Sequence, residues 1–253
     1  MNDYPRWIEN GFKPFNPLEL AAKTKSIVCK GNARKYTHFY CTGVYGGIST
    51  GYTVGCLLRC IFCWVDLSRE FPESKGTLFT PEEVFDKLIN NARQARVSKL
   101  RISGGEPTLC EEHLLRLLDL VDTTNYLFIL ETNGMLFGAN KDYVEALKNY
   151  EHIHVRVSLK AGTPEGFEER TGARGEFYEL PFQGIKNLIE AGISFHVAVM
   201  SDPRLMPKEE RAKLKQKLRE FGYRDWLEEE LCDPYDTTLL RLEKAGWLTK
   251  VIH

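Results

Sequence analysis

The chain has 253 residues and a formal net charge of −1, with 43% apolar and 27% charged residues. These values suit a globular α/β protein, and a net charge so close to zero favours neither nucleic acid nor an anionic membrane as a partner. No apolar run reaches the roughly 18 residues of a membrane span. The first residues lack the pattern of a signal peptide, so we expect a cytoplasmic protein.

Strand-like and helix-like segments alternate along most of the chain, which favours a parallel sheet covered by helices. Residues 1–50 fit this alternation poorly and are predicted to form an N-terminal extension. The predicted strands are residues 48–54, 99–103, 126–130, 152–159, 193–200 and 226–231. The predicted helices are one that starts at Pro81, a short one after Thr163, and residues 111–122, 141–150, 180–191, 207–220 and 237–245. The helix at Pro81 is the best marked, because Thr80 is a favoured N-cap and Glu83 occupies the capping-box position.

Six strand–helix units are too few for a closed barrel of eight and suit an open, partial barrel of the α/β class. We predict that this core occupies residues 51–232 and that residues 233–253 form a C-terminal helical tail. Active sites of such folds gather at the carboxyl ends of the parallel strands. Candidate functional residues should therefore follow predicted strands.

Three cysteines, Cys56, Cys60 and Cys63, stand as C-L-L-R-C-I-F-C directly after the first predicted strand. Clustered thiols of this kind suit a metal centre. Structural zinc sites and electron-transfer clusters usually close with four ligands. Three cysteines would leave one iron of an iron–sulfur cube open to another molecule, which indicates chemistry rather than structure. The dispersed cysteines are expected to be free, small buried hydrophobes in a reducing compartment; they are Cys29, Cys41, Cys110 and Cys232.

The CxxxCxxC spacing, with Phe62 just before the last cysteine, resembles the motif of the radical SAM superfamily. The resemblance implies a partial (β/α)6 TIM-type barrel and a 4Fe-4S cluster that chelates S-adenosylmethionine. It also implies a one-electron donor such as flavodoxin or ferredoxin. Reductive cleavage of S-adenosylmethionine would release a 5′-deoxyadenosyl radical that abstracts hydrogen from a substrate.

Gly104, Gly105 and Glu106, followed by a proline, come after the second predicted strand. Glycines let the backbone approach a ligand closely, and we expect a strand end to leave backbone amides free for hydrogen bonds. The run is similar to the GGEP motif of the superfamily, which the resemblance assigns to the methionyl amino group. The alternative is a turn with no binding role.

Glu131, Thr132 and Asn133, followed by a glycine, come after the third predicted strand. The run resembles the D/E-T-N-G run of small activating enzymes and of 7-carboxy-7-deazaguanine synthases. We expect its polar side chains to bind the ribose or the carboxylate of the cofactor. The alternative is a simple Asn-Gly turn.

Ser158 and Lys160 end the fourth predicted strand, where activating enzymes of glycyl radical proteins carry D-L-K. Lys160 could pair with a carboxylate of cofactor or substrate, or be a surface lysine. Ser158 departs from the family pattern. Trp64 also departs from it, standing where activating enzymes often carry His-Asn, and it could shield the cluster or pack in the core.

The resemblance thus predicts a radical SAM enzyme, and the subfamily it resembles most is the small activating enzymes, which place a glycyl radical on a partner protein. The alternative is modification of a small molecule, a peptide or a tRNA nucleoside. A more remote alternative is a non-catalytic iron–sulfur or zinc protein. The predicted cofactor-binding residues are Phe62, Gly104, Gly105, Glu106, Glu131, Thr132, Asn133, Ser158 and Lys160, and the predicted cluster ligands are Cys56, Cys60 and Cys63.

Overall fold

A computed structural model describes residues 4–252, which form one nine-stranded sheet with helices packed against it. The strands are β1 (Cys29–Lys30), β2 (Ala33–Thr42), β3 (Ile48–Thr53), β4 (Thr77–Phe79), β5 (Lys99–Gly104), β6 (Leu127–Thr132), β7 (Ile153–Leu159), β8 (Phe195–Met200) and β9 (Leu227–Glu230). The sheet order is β1-β2-β3-β5-β6-β7-β8-β9, and β4 pairs with β2.

Helices connect most of the strands. They are α1 (Pro17–Val28), α2 (Pro81–Ala95), α3 (Glu111–Asp122), α4 (Met135–Ala139), α5 (Lys141–Ala146), α6 (Pro164–Thr171), α7 (Leu180–Ala191), α8 (Lys208–Glu220), α9 (Asp236–Lys244) and α10 (Leu248–Ile252). The predicted start of α2 is confirmed, because the side chain of Thr80 and that of Glu83 form a reciprocal capping box. Within residues 4–252 no helix has the length and apolar character needed to cross a membrane.

Six parallel strands, β3 and β5 to β9, are neighbours in the sheet and extend to its edge at β9. The predicted open, partial barrel is thereby confirmed. Side chains alternate along each strand. On β7, Val155 and Val157 are fully buried on the helix-facing side, whereas Arg156 and Ser158 face the cavity inside the barrel. The interior of this barrel is polar at the level where the candidate site lies.

The N-terminal segment contributes to the same sheet. β1 and β2 pair antiparallel, and β2 also pairs antiparallel with β3. Sequence alternation did not predict these strands, because antiparallel pairing needs no intervening helix. The division into an N-terminal extension, a core and a C-terminal tail stays a prediction.

A disulfide joins Cys29, the first residue of β1, to Cys110, which directly precedes α3, with their Cα atoms 6.2 Å apart. The expectation that these two cysteines are free is therefore wrong. They are 81 residues apart in the sequence, so only the tertiary fold brings them together. Cys41 and Cys232 are free, and Cys232 is buried as expected.

A buried histidine fixes β2 against α3. His113 is bonded through Nδ1 to the carbonyl oxygen of Asn32 and through Nε2 to the hydroxyl of Tyr36, both at 2.8 Å. A carbonyl can only accept, so Nδ1–H donates to Asn32, and Nε2 of the neutral ring accepts the hydrogen bond that the Tyr36 hydroxyl donates. Burial lowers the pKa of His113 from 6.5 to about 4.

This depressed pKa predicts a pH-dependent stability. As the pH falls below 6.5, His113 becomes protonated in the unfolded chain but stays neutral in the folded chain. The free energy of unfolding should therefore drop by about 3 kcal/mol between pH 6.5 and about 4 through this residue. Chemical denaturation across that range should show a shallower loss for His113→Gln. The exposed His38 provides the control; His38→Gln should keep the wild-type slope, and equal slopes for all three proteins would contradict the assignment.

Candidate active site

The three cysteines lie in the loop that follows β3, at the carboxyl end of the parallel sheet. The apolar side chains between them are almost fully buried; they are Leu57, Leu58, Ile61 and Phe62. Burying a side chain of this size contributes roughly 1.5–3 kcal/mol, which fixes the loop to the core. The amide of Arg59 also donates to the carbonyl of Thr171 at 2.8 Å. The cysteine loop is therefore part of the packed structure.

A single cavity is lined by all of the residues that the sequence predicts for the site. They are Cys56, Cys60, Phe62, Cys63, Gly104, Gly105, Glu106, Glu131, Thr132, Asn133, Ser158 and Lys160. The cysteine loop forms one wall, and the carboxyl ends of β5, β6 and β7 form another. The individual roles of these residues stay predictions.

Several predicted site residues belong to strands rather than following them. Parallel pairing continues to Thr132 on β6, which lies opposite Val157 on β7. Glu131 and Ser158 are accordingly strand residues. Ser158 lies within its predicted strand, residues 152–159. The expectation that Glu131 and Thr132 come after their strand, predicted as residues 126–130, is wrong by one or two residues, because backbone pairing extends slightly beyond the apolar run that marks the strand in the sequence.

The carboxylate of Glu106 joins two of the predicted motifs. One oxygen accepts from the hydroxyls of Thr108 and Thr132, each at 2.7 Å. The other accepts from the amide of Asn133 at 2.9 Å. Since Glu106 is 2% exposed, these bonds satisfy a buried charge and fix the loop after β5 to the loop after β6.

The two glycines of the second motif pack against the approach to Cys56. The amide of Gly105 donates to the carbonyl of Thr53, and the amide of Glu106 donates to the carbonyl of Gly55, both at 2.8 Å. The expectation that these amides are free is wrong. A Cβ atom on Gly105 would lie 2.1 Å from the Gly55 carbonyl oxygen, so glycine is needed for this contact between backbones.

Glu131 is held inside the barrel by three donors. Its carboxylate accepts from the hydroxyl of Tyr45 at 2.8 Å, from Arg101 at 2.9 Å and from the hydroxyl of Ser103 at 2.6 Å. The backbone of Tyr45 has a φ of 53°, which is rare for a residue other than glycine. This conformation belongs to the turn between β2 and β3, from which the tyrosine ring reaches the barrel interior.

A second charged network covers β7 and β9. Arg156 donates two hydrogen bonds to Glu228, both at 2.9 Å, and one to Glu230 at 2.8 Å. Ser158 donates to Glu230 at 2.9 Å, and Lys160 donates to Ser158 at 2.5 Å. Burial would raise the pKa of Glu230, but the charges of Arg156 and Lys160 lower it below the ordinary value. Lys160 lines the cavity and is bonded to Ser158, so its interpretation as a plain surface lysine is wrong.

Trp64 lies at the rim of the same cavity and is 46% exposed. Its ring meets that of Tyr52 edge to face, with centroids 6.0 Å apart. The interpretation of Trp64 as a core tryptophan is therefore wrong. Its shielding role stays a prediction.

Sequence reasoning missed several polar residues that build the site. Arg101 and Glu230 carried a usable signal, since polar residues recur at every second position inside strands. Arg34 carried none. It lies in the N-terminal segment, is 1% exposed, and donates to the carbonyls of Pro107 and, at 2.6 Å, Glu106. A buried guanidinium thus supports the second motif from behind.

The thiols and their surroundings fit an iron–sulfur cluster. Burial, followed by the nearby Glu106 carboxylate, raises the pKa of Cys56 to about 12, and burial also raises the pKa of Cys60. Thiolates here would need a bound cationic centre, which lowers thiol pKa values. Within residues 4–252 no three such ligands converge on a single metal ion. A cube gives each thiolate its own iron, so lining a common cavity is the fitting arrangement.

Comparison with known proteins gives a consistent family. A family model described as the Radical SAM superfamily matches residues 51–220. A protein of Methanococcus maripaludis strain C7 named probable GTP 3′,8-cyclase is 30% identical over 142 residues, which covers 56% of this chain and 45% of that protein. A protein of Thermococcus kodakarensis with the same name is 28% identical over 138 residues, covering 54% and 42%. The chain spans less than half the length of these curated relatives.

Solved structures share the fold. SuiB from Streptococcus suis bound to S-adenosylmethionine superposes with a TM-score of 0.57 at 19% identity, covering 72% of this chain and 39% of that one. TYW1 with a lysine–pyruvate adduct gives a TM-score of 0.57 at 18% identity, covering 78% and 67%. At such identities the likeness concerns the fold alone.

Proposed function

Because the chain belongs to the radical SAM superfamily, we propose that it is an enzyme that abstracts a hydrogen atom from a small polar molecule inside the barrel. The observation that carries the proposal is the shared cavity, where three cysteines face charged side chains of the barrel interior. Clusters that only transfer electrons usually have four cysteine ligands. A three-cysteine loop above a polar cavity supports chemistry on a bound substrate.

Cys56, Cys60 and Cys63 would hold the 4Fe-4S cluster. When bound, the cluster supplies the electron, received from a flavodoxin- or ferredoxin-like donor, that cleaves S-adenosylmethionine to methionine and a 5′-deoxyadenosyl radical. Phe62 is 6% exposed and lines the cavity beside the cysteines. Its ring would exclude water from a site where a reactive radical must not meet solvent.

The remaining predicted residues would bind S-adenosylmethionine. The amino group of S-adenosylmethionine donates hydrogen bonds and needs acceptors. The carbonyl oxygens of Gly104 and Gly105 would supply them. The amide of Gly105 is a donor and is already bonded to Thr53. Glu106 would act by holding the adjoining loops together, as its bonds to Thr132 and Asn133 support. Thr132 and Asn133 would contact the ribose or carboxylate, together with Glu131, Ser158 and Lys160.

The chemistry of the barrel interior supports a small, polar and ionised substrate. Arg156, Lys160 and Glu230 line the cavity and carry both signs of charge. Such charged groups can form ion pairs and charge-assisted hydrogen bonds with an ionised ligand. The relatives named probable GTP 3′,8-cyclase favour the same class, because GTP is a small ionised molecule. GTP is therefore the first substrate to test.

Activation of a glycyl radical protein remains a second candidate. Lys160 and the run that starts at Glu131 match the pattern of activating enzymes, while Ser158 and Trp64 depart from it. The ion pair of Arg156 with Glu230 inside the cavity favours the small molecule, since a glycine residue of a protein offers no charge to either partner.

We expect the anaerobically reconstituted protein to form 5′-deoxyadenosine from S-adenosylmethionine and dithionite. The reason is that the three cysteines of the loop and the adjoining cavity can hold the cluster and S-adenosylmethionine together. Chromatography of the products measures the 5′-deoxyadenosine formed, with protein lacking iron as the control. A fully loaded protein that forms no 5′-deoxyadenosine, with or without GTP, would refute the enzyme proposal.

Isotope transfer separates the two candidates. An extract of cells grown in deuterated medium is divided by dialysis into small molecules and proteins, and each fraction is added to the reaction. Deuterium in 5′-deoxyadenosine with the dialysable fraction alone is the expected result. Deuterium in 5′-deoxyadenosine with the protein fraction alone would refute the small-molecule proposal and favour activation of a glycyl radical protein.

A further inference from the structure

Each of the three cysteines has a buried arginine behind its backbone. The guanidinium nitrogens donate as follows: Arg59 to the Cys56 carbonyl at 2.9 Å, Arg69 to the Cys60 carbonyl at 2.6 Å, and Arg241 to the Cys63 carbonyl at 2.6 Å. All three residues are at most 2% exposed. We call them the cysteine-loop arginines. They come from the loop itself and from α9, so the fold assembles the set from distant parts of the chain.

The charges of these arginines are incompletely balanced. Glu70, which is fully buried, pairs with both Arg69 and Arg241. Arg59 has carbonyl partners and the ring of Tyr4, 5.0 Å from its guanidinium carbon. One of its terminal nitrogens, Nη2, is buried without a hydrogen-bond partner. Among the three arginines, Arg69 and Arg241 are thus paired with one carboxylate, and Arg59 is bonded only to uncharged groups.

An excess of buried positive charge is costly unless an anionic group lies nearby. The adjacent cavity contains the three thiols and is lined by Arg69 itself. A cube held by three thiolates is such an anionic group, and it becomes more negative when it accepts an electron. The arginines would therefore stabilise the reduced form more than the oxidised form.

The contacts from α9 are especially extensive. Arg241 also donates to the carbonyls of Val65 at 2.5 Å and Asp66 at 2.9 Å. Thr238 of the same helix donates to the Cys63 carbonyl at 3.1 Å. The backbone carbonyls of residues 63–66 thus accept hydrogen bonds from this helix, which was predicted to lie in a tail outside the core.

We propose that the cysteine-loop arginines are positioning residues that orient the three thiols and raise the reduction potential of the cluster. The inference rests on the proposed function, because it presupposes a cluster at this site. Net charge and hydrogen bonding around the ligands are general determinants of iron–sulfur potentials, and groups that orient metal ligands commonly change metal affinity 10–100-fold. The proposal also makes α9 part of the cofactor site.

The test compares two variants of opposite charge effect. Arg241→Gln removes a cation, so the midpoint potential of the cluster, measured by an electron paramagnetic resonance titration, should become more negative. Glu70→Gln removes the shared anion and should make it more positive. Shifts in the same direction would reveal mere disruption of the loop and would overturn the charge effect, as would unchanged potentials.

Controls and a second readout keep the outcome decisive. Arg170 is equally buried, and the hydrogen bonds of its side chain go to Glu210 and to the Leu205 carbonyl. Its backbone carbonyl accepts from the amide of Ile61 in the cysteine loop, and Arg170→Gln keeps that carbonyl, so this variant should keep the wild-type potential. Thr238→Val removes only one hydrogen bond and should load iron, yet lose it to a chelator faster than wild type. For Arg241→Gln the loss should be about tenfold faster or more.

Hydrogen exchange in the protein without iron separates this inference from the proposed function. Amides of residues 63–66 should exchange faster in Arg241→Gln than in Arg170→Gln, because α9 holds the carbonyls of this segment. Equal exchange would refute the positioning role. If wild-type protein takes up no cluster while exchange still differs as expected, the proposed function fails and the positioning of the loop stands.

Discussion

Cys60→Ala should abolish both the visible colour of the reconstituted cluster and the formation of 5′-deoxyadenosine. The Cys60 side chain is 7% exposed and lines the cavity with the other two thiols. Alanine keeps nearly the same volume but offers no ligand. The variant would have two thiolates for the three irons that the cysteines are predicted to ligate. Cluster content is measured by iron and sulfide analysis and by the visible spectrum, and turnover is measured by product chromatography. The substitution should reduce turnover to background.

The matched control is Cys232→Ala. Cys232 is also a buried free cysteine, 2% exposed, but it does not line the cavity. This variant should load iron and turn over like wild type. If Cys60→Ala retained its cluster and its activity, the assignment of Cys60 as a ligand would be wrong.

Gly105→Ala should have the second largest effect. Its Cβ atom would lie 2.1 Å from the carbonyl oxygen of Gly55. Both atoms are fixed by the backbone, so no change of side-chain rotamer can relieve the clash. The loop after β5 must then separate from the approach to Cys56, which would destabilise the protein by about 1–3 kcal/mol. Affinity for S-adenosylmethionine should fall at least about tenfold, equivalent to roughly 1.4 kcal/mol.

Calorimetry and thermal unfolding of the reconstituted variant measure these two effects. Gly43→Ala is the control, because a Cβ atom at Gly43 meets nothing within 4 Å and its φ of −78° suits any residue. That variant should match wild type in both assays. Unchanged affinity in Gly105→Ala, with a cluster present, would show that this loop does not bind the cofactor.

The candidate site depends on segments near both ends of the described chain. Arg34 of β2 holds the carbonyls of Glu106 and Pro107 from the N-terminal side. Arg241 of α9 holds the cysteine loop from the C-terminal side. The motifs that the family match covers are therefore supported by residues outside the matched range 51–220. A truncated core should lose these hydrogen bonds.

Local signals in the sequence were sufficient for much of the fold. The capping box at Thr80 acts between residues three apart, so it can be read directly from the chain. The apolar runs of the parallel strands are similarly local, and the six predicted strands all occur within one or two residues of their predicted bounds. β2 was missed because antiparallel pairing with β3 leaves no helical spacing to detect.

The sequence by itself determined the open α/β barrel, the three-cysteine loop and the two motifs beside it, because short-range periodicity and spacing carry that information. Only the tertiary structure decided how the amides of the glycine motif are used, that Cys29 pairs with Cys110, and which arginines lie behind the cysteines. Those outcomes depend on contacts between residues far apart in the chain. Whether a given arginine is buried or exposed cannot be read from the sequence, because it depends on which distant residues the fold packs around it.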